Sequence, residues 1–198
     1  MSIFFEKFSL ILPQDLKFHV LSMLLEKLKS FSKADSDKKK GAVKGPALFY
    51  QILFLLKGVV ALIENLGNLM SEKFQQPSVI FDILAEYLVH ENIDVQITAA
   101  YCYYYLVNAY PRQRAQLTSM FLNNITLARG EIATAAPENQ SKEEFRNRIN
   151  GQLNTIRGSA AAISLLIRNI DFEFKSIPFD IANSVFEAAK RKTNYRFH

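Results

Sequence analysis

Three histidines and one cysteine are the side chains of this sequence best suited to metal binding or nucleophilic catalysis. His19, His90 and His198 are far apart, and none has the cysteine or carboxylate spacing of a metal motif. Cys102 lies among tyrosines in a predicted helix, where a core cysteine behaves as a small hydrophobic side chain. We therefore predict no metal site, no cofactor and no enzyme activity.

Phosphate-binding loops are also missing from the sequence, which contains neither GxxxxGK[ST] nor GxGxxG. The adjacent acids Glu143 and Glu144 stand near a predicted helix start, where negative charge is favoured by the helix dipole. We interpret them as structural residues rather than as a catalytic pair.

A cluster of tyrosines at positions 101, 103, 104, 105 and 110 is the most unusual feature of the chain. Helical geometry prevents all of them from facing inward, and exposed tyrosines offer a large contact area at a small entropic cost. We predict a partner-binding ridge made of Tyr101, Tyr104, Tyr105, Arg112 and Arg114. A second interpretation is that the tyrosines fill the groove between adjacent structural repeats.

The tyrosine cluster must be positioned by helices. The sequence consists of long apolar segments with helical periodicity, and prolines and polar stretches separate them. We predict that Pro13, Pro46, Pro77, Pro111 and Pro178 begin helices. The predicted helices cover residues 1–12, 13–31, 46–75, 77–90, 95–108, 111–129, 142–150, 152–170 and 178 onward, with mobile loops near 32–45 and 130–141.

The spacing of apolar residues predicts which side of each helix faces the core. Asp94 is predicted to cap the helix that starts at Val95. The predicted inward residues are Val79, Ile80, Ile83, Leu84, Tyr87 and Leu88; Ala99, Ala100, Tyr103 and Val107; Leu117, Met120, Phe121 and Ile125; and Leu153, Ile156, Ala160, Ile163, Ile167 and Ile170.

Composition bears on location and on the class of partner. A single cysteine excludes an internal disulfide and fits a reducing compartment, and Lys57 and Glu64 interrupt the most apolar stretch. We expect a cytoplasmic protein with no membrane span. Residues 101–198 carry 13 Lys and Arg against 8 Asp and Glu, so nucleic-acid binding through this basic half is a second functional hypothesis.

The prolines at 46, 77 and 111 are 31 and 34 residues apart, which is close to the period of paired-helix repeats. We predict an all-α protein, an α-solenoid of stacked antiparallel helix pairs that forms one domain over residues 1–198. A compact helical bundle is the alternative. A repeat that caps a solenoid has a polar outer face, whereas both ends of this sequence are apolar. We therefore expect this chain to be a segment of a longer solenoid.

Residues 92–100 (NIDVQITAA) resemble the turn and second-helix opening of a HEAT repeat, with Gln96 at the position where arginine is usual. The wider pattern of residues 61–67, 94–102, 110–118 and 158–162 is similar to part of the large HEAT-repeat accessory proteins of clathrin adaptors. That resemblance implies a non-catalytic scaffold in vesicle trafficking between endosomes and the trans-Golgi network. It also implies adaptor or coat components as partners, and peripheral association with Golgi or endosomal membranes.

Overall fold

The computed structural model describes residues 2–36, 46–134 and 141–168, and these residues are all-helical with no strand among them. The helices are α1 (Ser2–Ile11), α2 (Gln14–Ser36), α3 (Pro46–Leu66), α4 (Leu69–Lys73), α5 (Ser78–Leu88), α6 (Ile93–Ala109), α7 (Arg114–Ala133) and α8 (Lys142–Arg168), with a 3₁₀ turn at Pro111–Gln113. The all-α prediction is therefore confirmed.

The chain is divided into two compact units, residues 1–166 and residues 167–198. Of the second unit, only residues 167 and 168 lie within the described ranges. The predicted helix from Pro178 lies outside the described residues. So do residues 37–45 and 135–140, which make up most of the two predicted loops. The prediction of one domain over the whole chain stays a prediction.

Local sequence signals account for several helix boundaries. The break after α3 falls at Gly67, whose φ of +48° is a left-handed conformation that favours glycine. Pro77 precedes α5 and accepts the first backbone bonds of that helix, from the N–H groups of Ile80 and Phe81. Ser141 and Glu144 form a capping box at the start of α8, each side chain bonding the other residue's backbone N–H.

Several predicted boundaries were wrong. Asn92, and not Asp94, caps α6: its side-chain oxygen accepts a bond of 2.8 Å from the Asp94 N–H. The helix starts two residues earlier than predicted, which places Asp94 in its first turn. At Gly151 the predicted interruption is absent, and α8 runs continuously from Lys142 to Arg168. The glycine is exposed there, and an exposed helical glycine costs less than a break in the hydrogen-bond ladder.

Two helices continue further than the sequence predicted. α2 ends at Ser36 rather than near Phe31, because the lysine and alanine that follow are good helix formers. α7 continues past Arg129 to Ala133. The Arg148 guanidinium then donates to the hydroxyl (3.1 Å) and carbonyl (3.4 Å) oxygens of Thr134, which caps the end of α7 with positive charge.

The helices pack in pairs, and the pairs pack on each other. α2 contacts α3, α5 contacts α6, α2 contacts α5 and α3 contacts α6. Lys17 near the start of α2 donates to Asn65 near the end of α3 (2.8 Å), so α2 and α3 are antiparallel. The rings of Phe81 and Tyr103 stack at 5.3 Å between the start of α5 and the later part of α6, which makes that pair antiparallel as well.

α7 contacts α6, and α8 contacts the end of α5. Phe121 of α7 meets Tyr103 edge to face at 5.2 Å. Gly158 of α8 lies against the end of α5, so closely that an added Cβ would be 1.8 Å from the Leu88 carbonyl oxygen. Gln96, which is buried, donates to the carbonyl oxygens of His90 (2.7 Å) and Asn154 (3.1 Å), and so connects the α5–α6 turn to α8.

The core confirms most of the predicted inward residues. Ala99, Ala100, Tyr103 and Val107 are all buried. The exceptions are Val79, Met120 and Leu153, which are exposed, and Ile83, Ile156, Ala160 and Ile167, which are half-buried. Ile170 lies outside the described residues. Phe81, Ala128, Gly158, Ser159, Ala162 and Leu166 are buried although they were not predicted.

Candidate functional site

A groove of about 380 Å³ runs between α3 and α6 on the surface of the first unit. Its lining combines small and aliphatic side chains with two tyrosines and one charge of each sign. The lining residues are Lys57, Val60, Ala61 and Glu64 of α3, and Ile97, Thr98, Tyr101 and Tyr105 of α6. This mixture of apolar surface with a few polar groups is typical of a binding site.

Because of helical spacing, one face of α6 lines the groove and another face packs into the core. Ile97, Tyr101 and Tyr105 follow each other at intervals of four and share the groove face, whereas Ala99 and Tyr103 point into the core. The hydroxyl of Tyr103 donates to the Phe81 carbonyl at 2.7 Å, which satisfies this polar group inside the core. α6 is thereby fixed to α5 while its other face is left for the groove.

A hydrogen bond joins the two walls of the groove. The phenol of Tyr105 donates to the carboxylate of Glu64 at 2.8 Å. Partial burial, followed by this bond to Glu64, raises the pKa of Tyr105 to about 12. Tyr105 is consequently protonated at neutral pH and available as the donor, which holds the Glu64 side chain at the groove.

Lys57 and Glu64 give the groove its charges. They are seven residues apart on α3, which is two helical turns, so both lie on its groove face. Within the described residues neither forms a salt bridge. Each charge is therefore available to a group of opposite sign on a ligand.

Only two of the five predicted ridge residues, Tyr101 and Tyr105, line the groove. Tyr101 is 38% exposed, and Tyr105 is half-buried. Tyr104 is half-buried outside the groove, with its ring edge-on to that of Tyr105 at 5.0 Å. Arg112 is exposed in the 3₁₀ turn and Arg114 is half-buried at the start of α7, and neither lines the groove.

The remaining two tyrosines of the cluster are structural. Tyr103 is fully buried, as the second interpretation of the cluster requires. Tyr110 directs its hydroxyl to the carbonyl oxygens of Met70 and Phe74, each at 2.7 Å, and so ties the end of α6 to the segment around α4. Burial raises the pKa of Tyr110 to about 12.

A second groove, of about 600 Å³ and mainly apolar, lies between α1, α2 and α3. Its lining is rich in aromatic rings, with Phe5 and Phe54 at 4.6 Å and the Lys27 ammonium 5.1 Å above the Phe31 ring. The lining residues are Phe5, Lys27, Phe31, Tyr50, Gln51, Leu53, Phe54, Leu55 and Lys57. Lys57 thus lines both grooves, which adjoin at its side chain.

In the sequence, Lys57 and Glu64 interrupt an apolar stretch, and Glu64 also belongs to the pattern of residues 61–67 that resembles HEAT-repeat proteins. The signal that identifies them is their spacing with Tyr50, Phe54 and Ala61, which recurs at intervals of four and three and marks one face of α3. Their relation to Tyr101 and Tyr105 depends on the contact between α3 and α6, which the sequence pattern does not specify.

Of the side chains considered for catalysis and metal binding, Cys102 and His90 have structural contacts, His19 is exposed, and His198 lies outside the described residues. Cys102 is fully buried, with its sulfur 3.9 Å from the Leu56 carbonyl, and burial raises the pKa of its thiol well above the usual range. His90 accepts a bond from the Asn92 N–H at 3.0 Å inside the α5–α6 turn. Across the described ranges, no group of three or more His, Cys, Asp or Glu side chains is arranged to hold a metal ion.

Comparisons of the chain with protein-family models, with curated proteins and with solved structures returned no match. One described segment, Leu48–Leu66 of α3, is long and apolar enough to cross a membrane when judged by length and composition alone. In the folded chain, α3 contacts α1, α2, α4 and α6, and 39% of this segment is buried.

Proposed function

We propose that this chain is a non-catalytic scaffold built as an α-solenoid, and that it binds a segment of another protein in the groove between α3 and α6. The observation that carries the proposal is the groove itself, where Tyr101 and Ile97 present exposed apolar surface between the charges of Lys57 and Glu64. Peptide recognition commonly combines apolar anchors with polar groups that fix orientation.

The order of helix contacts supports the solenoid part of the proposal. α3 and α6 are parallel, because Cys102 meets Leu56 while Tyr105 meets Glu64 further along both helices. α2 and α5 are parallel too. Phe18, near the start of α2, is close to Phe74, which lies four residues before α5 (ring centroids 5.9 Å apart), and further along both helices the Tyr87 hydroxyl donates to the Leu28 carbonyl (2.6 Å). Each helix of one pair therefore stacks on the corresponding helix of the next pair, as in HEAT and armadillo arrays.

Gln96 supports the same interpretation. In the HEAT repeats that residues 92–100 resemble, arginine occupies this position and links neighbouring repeats. Here the Gln96 amide connects the α5–α6 turn to Asn154 of α8. The neutral Gln96 lacks the charge needed for the Asp–Arg ladder expected between such repeats, and its amide connects the two segments by hydrogen bonds alone.

The class of partner rests on the resemblance of residues 61–67, 94–102 and 110–118 to accessory proteins of clathrin adaptors. It assigns adaptor or coat components as partners, in the cytoplasm and at the surface of Golgi or endosomal membranes. These residues include most of the α6 side of the groove and Glu64 of its α3 side.

Site-specific photo-crosslinking in extracts of the source cells tests the proposal. A photoreactive phenylalanine analogue replaces Tyr101 in one variant and Met120 of α7 in a control; the two side chains are exposed to 38% and 39%. We expect the variant at position 101 to capture defined proteins that the control does not capture. Crosslinks to nucleic acid, together with salt-sensitive gel shifts, would instead favour the hypothesis of a nucleic-acid-binding protein.

A further inference from the structure

One face of α3 lines both grooves. Tyr50, Phe54, Lys57, Ala61 and Glu64 follow one another at intervals of four, three, four and three residues, so they form a single stripe. Tyr50, in the second turn of α3, is 63% exposed, and Phe54, near the middle of the helix, is 41% exposed. Because Lys57 lines both grooves, the stripe is continuous across them.

The dimensions of the stripe suit an extended peptide. Fourteen residues of α-helix separate Tyr50 from Glu64, and at about 1.5 Å per residue they span roughly 21 Å. An extended chain advances about 3.3 Å per residue, so roughly six residues cover this length. The interval from Lys57 to Glu64, roughly 10 Å by the same rise, corresponds to about three residues of the peptide.

The chemistry changes in a fixed order along the stripe. The first part is aromatic, with Phe54 against Phe5 and Tyr50 beside them in the same groove. Lys57 follows, and then the pair of Tyr105 and Glu64. A ligand that complements the stripe therefore carries an apolar side chain at the aromatic part, a carboxylate at Lys57 and a cation at Glu64.

The surroundings of Glu64 favour arginine over lysine as the cation of the ligand. One carboxylate oxygen of Glu64 accepts the Tyr105 bond, and Glu64 is exposed, so the group has lone pairs available for a ligand. The rings of Tyr101 and Tyr105 line the groove beside it. A guanidinium can bond the carboxylate with two N–H groups and stack on an aromatic face, whereas an ammonium is a point charge.

We propose that the stripe on α3 binds an extended segment of a partner protein that carries a large apolar side chain, then an acidic residue opposite Lys57, then an arginine about three residues further along, opposite Glu64. This inference rests on the proposed function, because it specifies the ligand of the same groove. Crosslinks from position 101 to nucleic acid in place of protein would indicate a different class of ligand.

Two fluorescent peptides of identical composition test the order of charges. One carries a phenylalanine, a glutamate and, three residues later, an arginine, spaced by alanines; the second has the glutamate and arginine exchanged. Fluorescence anisotropy with the full chain measures both affinities. We expect the first peptide to bind at least about ten-fold more tightly, which corresponds to one well-placed charge pair.

The doubly exchanged protein Lys57→Glu/Glu64→Lys is the matched variant. We expect it to reverse the preference and bind the second peptide more tightly. Both positions lie on the surface stripe, and circular dichroism verifies that the helices are retained. If this variant does not fold, the single neutral variants Lys57→Gln and Glu64→Gln replace it, each with the expectation that the preference of the wild type shrinks at least about three-fold.

Equal binding of the two peptides by the wild-type chain overturns the charge order, and so does a preference that survives the exchange of Lys57 and Glu64. Absence of binding to either peptide also overturns the inference. The proposed function is judged separately by crosslinking at position 101. Proteins captured there without any preference between the peptides would leave the scaffold function standing and remove only the charge pattern.

Discussion

The phenol of Tyr105 on α6 donates a 2.8 Å hydrogen bond to the carboxylate of Glu64 on α3. This bond joins two residues that are 41 positions apart in the chain, and it lies in the wall of the groove that we propose as the binding site. The contact between α3 and α6 therefore brings a candidate aromatic anchor together with a charge that sequence reasoning had not connected to it.

The raised pKa values of Tyr105 and Tyr110, each about 12, predict a loss of stability in alkali. Unfolded tyrosine has a pKa of about 10, so the folded chain holds these protons more tightly than the unfolded chain does. The stabilisation is complete below about pH 10 and is lost progressively as the pH rises through about 12. Urea unfolding at a series of pH values measures this loss.

Tyr110→Phe identifies one source of the alkaline effect. The variant lacks the hydroxyl that bonds Met70 and Phe74, so we expect a free energy of unfolding about 1 kcal/mol lower near neutral pH and a smaller decrease in alkali. Tyr50→Phe, at a side chain that is 63% exposed, is the control. An unchanged pH dependence in Tyr110→Phe would contradict the assignment.

The surroundings of two glycines in α8 predict opposite effects of a glycine-to-alanine substitution on stability. At Gly158 a Cβ would be 1.8 Å from the Leu88 carbonyl oxygen, so Gly158→Ala must move α8 away from α5; we expect a loss of about 3 kcal/mol. At Gly151 no atom lies within 4 Å of the added Cβ, and Gly151→Ala should stabilise the chain by about 0.5–1 kcal/mol. Equal effects in urea unfolding would refute the close contact.

The hydrogen bonds of Gln96 predict that a negative charge at this position destabilises the fold. In Gln96→Glu a buried carboxylate faces the carbonyl oxygens of His90 and Asn154, so we expect a loss of about 3 kcal/mol at neutral pH. Burial raises the pKa of such a carboxyl, so the penalty shrinks as the pH falls and the group takes up its proton. Gln116→Glu, at an exposed position of α7, should change stability little at any pH.

Complete burial of Cys102 predicts an inert thiol. Burial raises its pKa, and no solvent reaches its sulfur, so a thiol reagent should label the native chain at least about 100-fold more slowly than the denatured chain. The variant Ser164→Cys supplies an exposed thiol for comparison and should react with one fast and one slow phase. Fast labelling of the native wild-type chain would show that the α3–α6 contact opens readily.

Much of the local structure was predictable because strong signals bound the helices. Proline positions and apolar spacing predicted the existence of α5 and α6, and the inward residues Ala99, Ala100, Tyr103 and Val107 were all confirmed. These predictions succeed because a helix whose apolar residues lie on one side leaves little choice of which side to bury.

The predicted packing stripe of α8 failed for a physical reason. Apolar spacing favoured Leu153, which is 44% exposed, whereas the buried face includes Gly158, Ser159 and Ala162. α8 approaches the backbone of Leu88 so closely that only small residues fit at the contact. A pattern based on large apolar residues does not detect a contact of this kind.

The candidate site was half predictable. Tyr101 and Tyr105, two of the five residues predicted to bind a partner, line the groove; Tyr104 lies outside it, and so do Arg112 and Arg114. Proximity along the chain grouped them with the tyrosines. The fold instead pairs the tyrosines with α3, and one sequence shows which face a helix exposes without showing which helix lies beside that face.

The affinity of a captured partner segment for point variants of the chain tests the central claim most directly. Calorimetry would compare the wild type with Tyr101→Ala in the groove and with Met120→Ala, a control of equal exposure on α7. We predict that Tyr101→Ala weakens binding at least about ten-fold, as loss of an aromatic anchor does, and that Met120→Ala leaves binding unchanged. Equal affinities for the wild type and Tyr101→Ala would contradict the assignment of the α3–α6 groove as the binding site.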